Sequence, residues 1–425
     1  MSSNYKVEFN KITQTPTPTL VPSVWSTTEN IYSFSSTPDG SKMYITAIKQ
    51  GTSIWPSYKS IDKGVTWNTT TELVYDRVVS NNGVVLGTYN GSSGLGTYRS
   101  TNFGVSYTKV TSLPALLSNA SAISSNGSYQ VVGISGNTTA NCGAWRATSI
   151  SGSFTKILNL TTNVNETINS VIVSDDGLRI AVCVYNGIYI SSVSTIGTTP
   201  VFTKTSGPGG NGFPSTVDYR DIAPTSDFSK IVVINEKWIC WCGFSSGAQM
   251  QRFSLPQLSS WGSWGKLKVI STDGSTDIMC MEKVESADGS GWNHSSNSGI
   301  YLSLDNCTTA TKITSNITDE YDVYKYWIIG AFIPTNQSIV IYPSKNSSFV
   351  KNFIYTYKPI TQTSYNDLLT IFKAKGTNTA AVTGYKINNA DLNTLFAPIG
   401  DGVSIGYNTG YTVNGNDLST IFASK

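Results

Sequence analysis

Up to about residue 358, apolar positions come in short runs separated by polar, glycine-bearing breaks. Val171-Ile172-Val173 and Ile180-Ala181-Val182-Cys183-Val184 are typical. Runs this short, bounded by turn residues, read as strands buried on both faces, and no long helical periodicity competes with them. The breaks repeat. A Ser/Thr-x-Asp/Asn-Gly turn enters an apolar strand at Thr37-Pro38-Asp39-Gly40, Ser80-Asn81-Asn82-Gly83, Ser124-Ser125-Asn126-Gly127, Ser174-Asp175-Asp176-Gly177 and Ser271-Thr272-Asp273-Gly274. Weaker copies stand at Thr225-Ser226-Asp227-Phe228 and Pro334-Thr335-Asn336-Gln337. An aromatic-bearing strand comes next, as in Tyr58-Lys59-Ser60, Tyr98-Arg99-Ser100, Trp145-Arg146-Ala147, Tyr189-Ile190-Ser191 and Tyr301-Leu302-Ser303. A strand carrying Lys closes the unit, at Lys109, Lys156 and Lys204.

Four short strands per unit, repeated at roughly 40–50 residues, predict an all-β fold, a seven-bladed β-propeller of four-stranded blades over residues 1–359. A ring must close or leave an exposed edge. The run Val7-Glu8-Phe9-Asn10-Lys11-Ile12 matches the closing strand and is expected to complete the last blade, with residues 15–23 as an extended connector. The repeat of Ile12-Thr13-Gln14-Thr15 as Ile360-Thr361-Gln362-Thr363 leaves a second reading open, in which the last blade supplies its own outer strand.

After residue 360 the pattern changes. Asp367-Leu368-Leu369-Thr370-Ile371-Phe372, Asp391-Leu392-Asn393-Thr394-Leu395-Phe396 and Asp417-Leu418-Ser419-Thr420-Ile421-Phe422 recur, the last two after Thr383-Gly384-Tyr385 and Thr409-Gly410-Tyr411. Each unit reads as a short strand followed by an Asp-led helical turn. Leu368, Phe372, Leu392, Phe396, Leu418 and Phe422 are thereby candidate assembly residues in a small module spanning 360–425. These repeats resemble C-terminal repeats of surface proteins predicted in large DNA viruses of algae and protists. The resemblance implies a virion surface component, with other copies or neighbouring particle proteins as partners.

The block Ser60-Ile61-Asp62-Lys63-Gly64-Val65-Thr66-Trp67 carries a second resemblance. Its Asp can accept N–H groups of its own turn, its Gly takes a backbone angle that other residues resist, and Trp67 anchors the next strand. Asn102 with Gly104, and Asp305 with Cys307 in place of the glycine, repeat it. It resembles the Asp-box of sialidase-like β-propellers, which implies a structural turn on the rim opposite the active face. Sialidases use three arginines, a Tyr/Glu nucleophile pair and an Asp acid/base. Of six arginines here, only Arg77 and Arg220 fall toward the centre, so sialidase activity is not expected. The opposite face is the candidate ligand face, with Trp55, Arg77, Asp218, Arg220, Trp292 and the single histidine, His294, beside carboxylates such as Glu166 and Asp221. Aromatic and polar groups on a concave face suit a glycan.

Composition narrows the rest. Charged residues make up 13% and the net charge is +3, with no basic patch of the kind nucleic acid requires. No apolar run is long enough to cross a membrane, and Met1-Ser2-Ser3-Asn4-Tyr5-Lys6 lacks a signal-peptide core, so cytosolic synthesis followed by display on a virion or outside the cell is expected. The six cysteines are scattered and read as buried free thiols, without a metal or other cofactor. The expected function is non-enzymatic, structural or recognition work. A divergent glycoside hydrolase or a secreted glycan-binding lectin are the alternatives.

Overall fold

The computed structural model describes residues 17–19, 29–49, 55–62, 66–70, 74–89, 94–136, 138–163, 166–192, 198–205, 219–225, 228–235, 239–244, 251–252, 262–271, 277–285, 298–303, 307–312, 326–333, 338–344 and 354–357 of the main body, and four dipeptides after residue 385. Two compact units divide the chain, one of residues 15–358 and one of residues 1–14 with 359–425.

The larger unit is a β-propeller. Strand β1 (Thr17–Thr19) stands apart from its neighbours in sequence. Blade 1 is β2 (Glu29–Ser36), β3 (Met43–Lys49), β4 (Ser57–Ser60) and β5 (Asn68–Thr70). Blade 2 is β6 (Tyr75–Val79), β7 (Val85–Tyr89), β8 (Gly96–Ser100) and β9 (Thr108–Lys109). Blade 3 is β10 (Ala120–Ile123), β11 (Gln130–Ile134), β12 (Gly143–Ala147) and β13 (Thr155–Asn159). Blade 4 is β14 (Ile168–Val173), β15 (Arg179–Val184), β16 (Gly187–Ser192) and β17 (Thr203–Thr205). Blade 5 is β18 (Tyr219–Pro224), β19 (Lys230–Asn235), β20 (Ile239–Gly243) and β21 (Gln251–Arg252). Blade 6 is β22 (Gly262–Ser271), β23 (Asp277–Glu285), β24 (Gly299–Ser303) and β25 (Thr311–Lys312).

These six blades each use four consecutive antiparallel strands. A further four-stranded sheet is composite: β26 (Tyr326–Ile333), β27 (Ser338–Ser344) and β28 (Ile354–Tyr357) pair in order, and β1 adds to β28. Strand β26 lies against β2 of blade 1 and β22 of blade 6, so this sheet bridges the two ends of the series.

Burial explains why the second strands are apolar throughout. Alternate residues of a strand face opposite sides, and in β15 Ile180, Val182 and Val184 join the cluster shared with blade 3. Ala181 and Cys183, between them, join the cluster shared with blade 5. Strand β19 divides in the same way, Ile231 and Val233 toward blade 4 and Val232 and Ile234 toward blade 6. A strand sandwiched between two sheets has no solvent face, and each large aliphatic residue buried there contributes about 1.5–3 kcal/mol. Cys240 and Cys242 share one cluster, and the six cysteines are buried thiols outside any disulfide.

Two expectations change. The strand that completes the composite sheet does come from the N-terminal region, but it is Thr17-Pro18-Thr19, inside the stretch expected to be only a connector; residues 7–12 lie outside the described residues. Outermost strands here are short and polar, Asn-Thr-Thr in β5, Thr-Lys in β9 and Thr-Lys-Thr in β17. A short polar strand can fill such a place by backbone pairing, as Thr17-Pro18-Thr19 does against β28, and proline is tolerated at a sheet edge. In the smaller unit, β29 (Lys386–Ile387) pairs with β30 (Ala390–Asp391), and β31 (Thr412–Val413) with β32 (Asn416–Asp417). Asp391 and Asp417 thus end the second strands of equivalent hairpins, and the residues after them, where helical turns are expected, lie outside the described residues. Leu368, Phe372, Leu392, Phe396, Leu418 and Phe422 lie outside the described residues. Among the described residues no helix is long and apolar enough to cross a membrane.

Candidate functional site

Antiparallel blades place alternate loops at opposite ends. The turns between first and second strands share one face with the loops between third and fourth strands. That basal face is built by the repeated motif. In blade 2, the Ser80 hydroxyl donates to Asn82 Oδ1 at 2.7 Å and accepts the Val84 N–H at 2.9 Å, while Gly83, at φ 95°, donates its N–H to the Ser80 carbonyl at 3.2 Å. Thr37, Ser124 and Ser174 do the same in blades 1, 3 and 4. Phe228 takes the glycine's place in blade 5 with φ 53°, and its N–H still reaches the Thr225 carbonyl at 2.9 Å.

The motif's remaining polar groups bind blade to blade. The Asp39 N–H donates to Asn81 Oδ1 at 3.1 Å, the Asn81 N–H to the Ser125 carbonyl at 2.8 Å, and the Ser125 N–H to Asp175 Oδ1 at 2.6 Å. Asn82 donates from its amide to the Asn126 carbonyl. A belt of hydrogen bonds therefore runs across four successive blades, which accounts for the recurring Asp and Asn without any ligand.

The Asp-box loops adjoin this belt. Asp62 accepts the Ser60 hydroxyl at 2.7 Å and the Thr66 N–H at 2.8 Å, and also the Thr66 hydroxyl. The Thr66 hydroxyl and N–H, then the Ser60 hydroxyl, hold its carboxyl down at about 2. Trp67 is buried, and Gly64 lies outside the described residues, as does Asp305. In the second box Asn102 accepts the Ser100 hydroxyl at 2.8 Å and the Ser106 N–H at 3.0 Å, and Gly104, at φ 71°, donates to Ser100 Oγ at 2.9 Å. Phe103 beside it receives the Tyr44 hydroxyl on its carbonyl at 2.9 Å and the Lys42 ammonium 3.6 Å over its ring, both from blade 1.

The upper face carries the second-to-third loops and the blade connections. Here the structure gathers three rings from two blades. Trp55, just before β4, stacks on Tyr75 at the start of β6, with centroids 5.5 Å apart and planes at 24°. Tyr32 meets both edge-on, at 4.8 Å and 81° to Trp55 and 5.8 Å and 89° to Tyr75. Tyr32 is 42% exposed, and it sits in a β-bulge, between the paired residues Ile31 and Ser33. A bulge turns the extra residue out of the ladder. Equivalent irregularities recur in β6, β14, β18, β22 and β26, where Arg220 is the displaced residue of β18. Trp55 is the member of this trio that the sequence pattern marks as a loop aromatic; Tyr32 and Tyr75 each stand five residues before their turn's Thr37 or Ser80.

Arg77 departs from its expected place. Its guanidinium is buried (6% exposed) and donates to Thr46 Oγ1 at 3.0 Å and Ser57 Oγ at 3.1 Å on blade 1, above the Tyr44 ring. It is an inter-blade brace, unavailable to a ligand. Arg220 is half-buried in β18, and Asp221 is buried beside it with Oδ1 accepting the Ile222 N–H at 3.0 Å. Glu166 braces the connection into blade 4, accepting the Thr161 N–H at 2.8 Å and the Tyr189 hydroxyl at 2.8 Å, 3.5 Å from Lys204 Nζ. Burial pulls that carboxyl up, but the Thr161 and Tyr189 donors and Lys204 outweigh it and hold it below the usual range. Asp218, Trp292 and His294 lie outside the described residues. Among the described residues no group of three or more His, Cys, Asp or Glu is placed to hold a metal ion.

No protein-family model matches the chain, and no curated protein does. Solved structures are similar in outline. "YCF48 bound to D1 peptide" matches 83% of this chain and 96% of its own at 13% identity and TM-score 0.49. "Oligogalacturonate lyase in complex with manganese" matches 78% and 91% at 12% identity and TM-score 0.49. The extracellular domain of the putative hybrid two component system BT4673 from B. thetaiotaomicron matches 77% of this chain, which spans 38% of that one, at 14% identity and TM-score 0.49.

Proposed function

We propose that this protein is a non-catalytic recognition propeller whose upper face binds glycan through Tyr32, Trp55 and Tyr75. The observation carrying the reading is the aromatic trio itself. Its rings touch one another instead of enclosing a void, so they offer a continuous platform rather than a cage around a cation. Aromatic surface of this kind stacks on the C–H face of a pyranose, and tyrosine hydroxyls add hydrogen bonds at the edge. The burial of Arg77 argues against a sialidase-type carboxylate clamp.

In this reading the composite sheet is the seventh blade of a closed, Asp-box type ring, and the boxes are structural. The C-terminal repeats attach the propeller to other copies or to neighbouring proteins of a particle surface. The two equivalent hairpins, 386–391 and 412–417, support a modular tail in which each unit offers a similar contact. The function is tested by a glycan array on the full-length chain with parallel assays on fluorogenic glycosides, a sialoside among them. Binding that Tyr32→Ala removes, without turnover, is expected. Turnover abolished by Arg220→Ala would contradict the reading.

A further inference from the structure

Three sulfur atoms meet between blades 5 and 6. Met279 and Met281 alternate along β23 and so project to one face. Cys307 Sγ lies 3.0 Å from Met279 Sδ and 3.8 Å from Met281 Sδ. All three residues are fully buried, and Ala223, Val232, Ile234 and Ile239 make up the rest of their apolar cluster. Cys307 stands where the box of blade 2 has Gly104, and both take left-handed backbone, φ 54° and 71°. Its N–H donates to Ser303 Oγ at 2.9 Å, as that of Gly104 does to Ser100 Oγ, so the turn is complete without a side chain. A β-carbon in that conformation costs about 1–2 kcal/mol, and here it delivers a thiol to two thioethers.

We propose that Cys307, Met279 and Met281 form a binding site for a soft monovalent metal ion, Cu(I). Thiolate and thioether ligands select soft ions. One thiolate neutralises one positive charge, so the ion and its ligands enter the apolar cluster as a neutral unit, whereas a divalent ion would leave a buried net charge. On binding, a Cu–S bond replaces the Cys307 S–H bond and the proton passes to solvent; no electron is transferred. With metal–sulfur bonds of about 2.3 Å, a trigonal set holds its sulfurs about 4 Å apart. The Met281 contact already has that span, and Met279 reaches it by withdrawing its sulfur by about 1 Å, a small shift for a side chain with three rotatable bonds. Thr308 and Thr309, next to Cys307, are exposed, so the buried thiol lies one residue from the surface along the chain.

The test is anaerobic titration of the reduced, full-length protein with Cu(I) supplied as its acetonitrile complex, against a chromophoric Cu(I) chelator, with X-ray absorption at the copper edge. One ion per chain held by three sulfur neighbours is expected. Met279→Leu with Met281→Leu keeps core volume and should weaken retention at least about tenfold. Cys307→Gly suits the backbone angle and should abolish it. Copper retained equally by both variants, or none retained by the native chain against the chelator, would overturn the site.

Discussion

Asp62 and Asn102 hold equivalent positions in successive boxes and make the same bonds to a preceding Ser and a following N–H, one with a charge and one without. The turn therefore needs the oxygen acceptor more than the charge. Asp62→Asn should leave thermal stability nearly unchanged, and Asp62→Ala should lower it, in paired melting curves. Because the folded carboxyl is depressed to about 2 against an unfolded value of about 3.9, its contribution is fully present above the unfolded value. It is lost as pH falls through about 2, and carboxylate NMR during acid titration checks this. Arg77 makes the opposite case. Its buried hydrogen bonds to Thr46 and Ser57 and its packing on Tyr44 brace blades 1 and 2. Arg77→Ala leaves two buried hydroxyls short of a partner and should cost about 1–3 kcal/mol in denaturant unfolding. Nothing in the sequence tells that this side chain turns toward the preceding blade, because that depends on the packing of neighbouring sheets.

Among the elements, the register of the third and fourth strands sets the recurrent aromatic opposite the recurrent Lys. Tyr98 pairs with Lys109, Trp145 with Lys156, Tyr189 with Lys204 and Tyr301 with Lys312. The Lys156 and Lys204 ammonium groups lie 5.2 Å over the rings they face. Each such contact contributes about 0.5–1 kcal/mol near the surface, so Lys156→Ala should show a loss of that size by chemical denaturation. The first-to-second turns depend on backbone angle instead. At Gly177, φ is 70° and a β-carbon would lie 2.4 Å from the Tyr129 ring of the preceding blade. Gly177→Ala should cost about 1–3 kcal/mol, measured in the same way. Such turns were legible in the sequence because their geometry is local. The belt that joins them from blade to blade was not, since Asn81 and Ser125 meet only once the sheets are stacked.

For the whole molecule, the unit of four strands could be read from residue patterns, whereas the means of completing the last sheet could not. Thr17-Pro18-Thr19 carries no apolar run, and backbone pairing by itself leaves little trace in side-chain pattern. Removing residues 1–14 should leave the melting of the propeller unchanged, while removing residues 1–20 should bare the edge of β28, lower the melting temperature and promote aggregation. The upper face poses a similar problem. Trp55 drew attention as a loop aromatic, but its partners Tyr32 and Tyr75 come from the innermost strands of two blades and are joined only by the ring's curvature. Their shared platform is the central functional claim. Saturation-transfer difference NMR, on the full-length protein with the glycan it binds most strongly on the array, tests it most directly. Saturation concentrated on the C–H face of one sugar, lost in both Tyr32→Ala and Trp55→Ala while melting is retained, is the expected result; transfer that persists in both variants would contradict it.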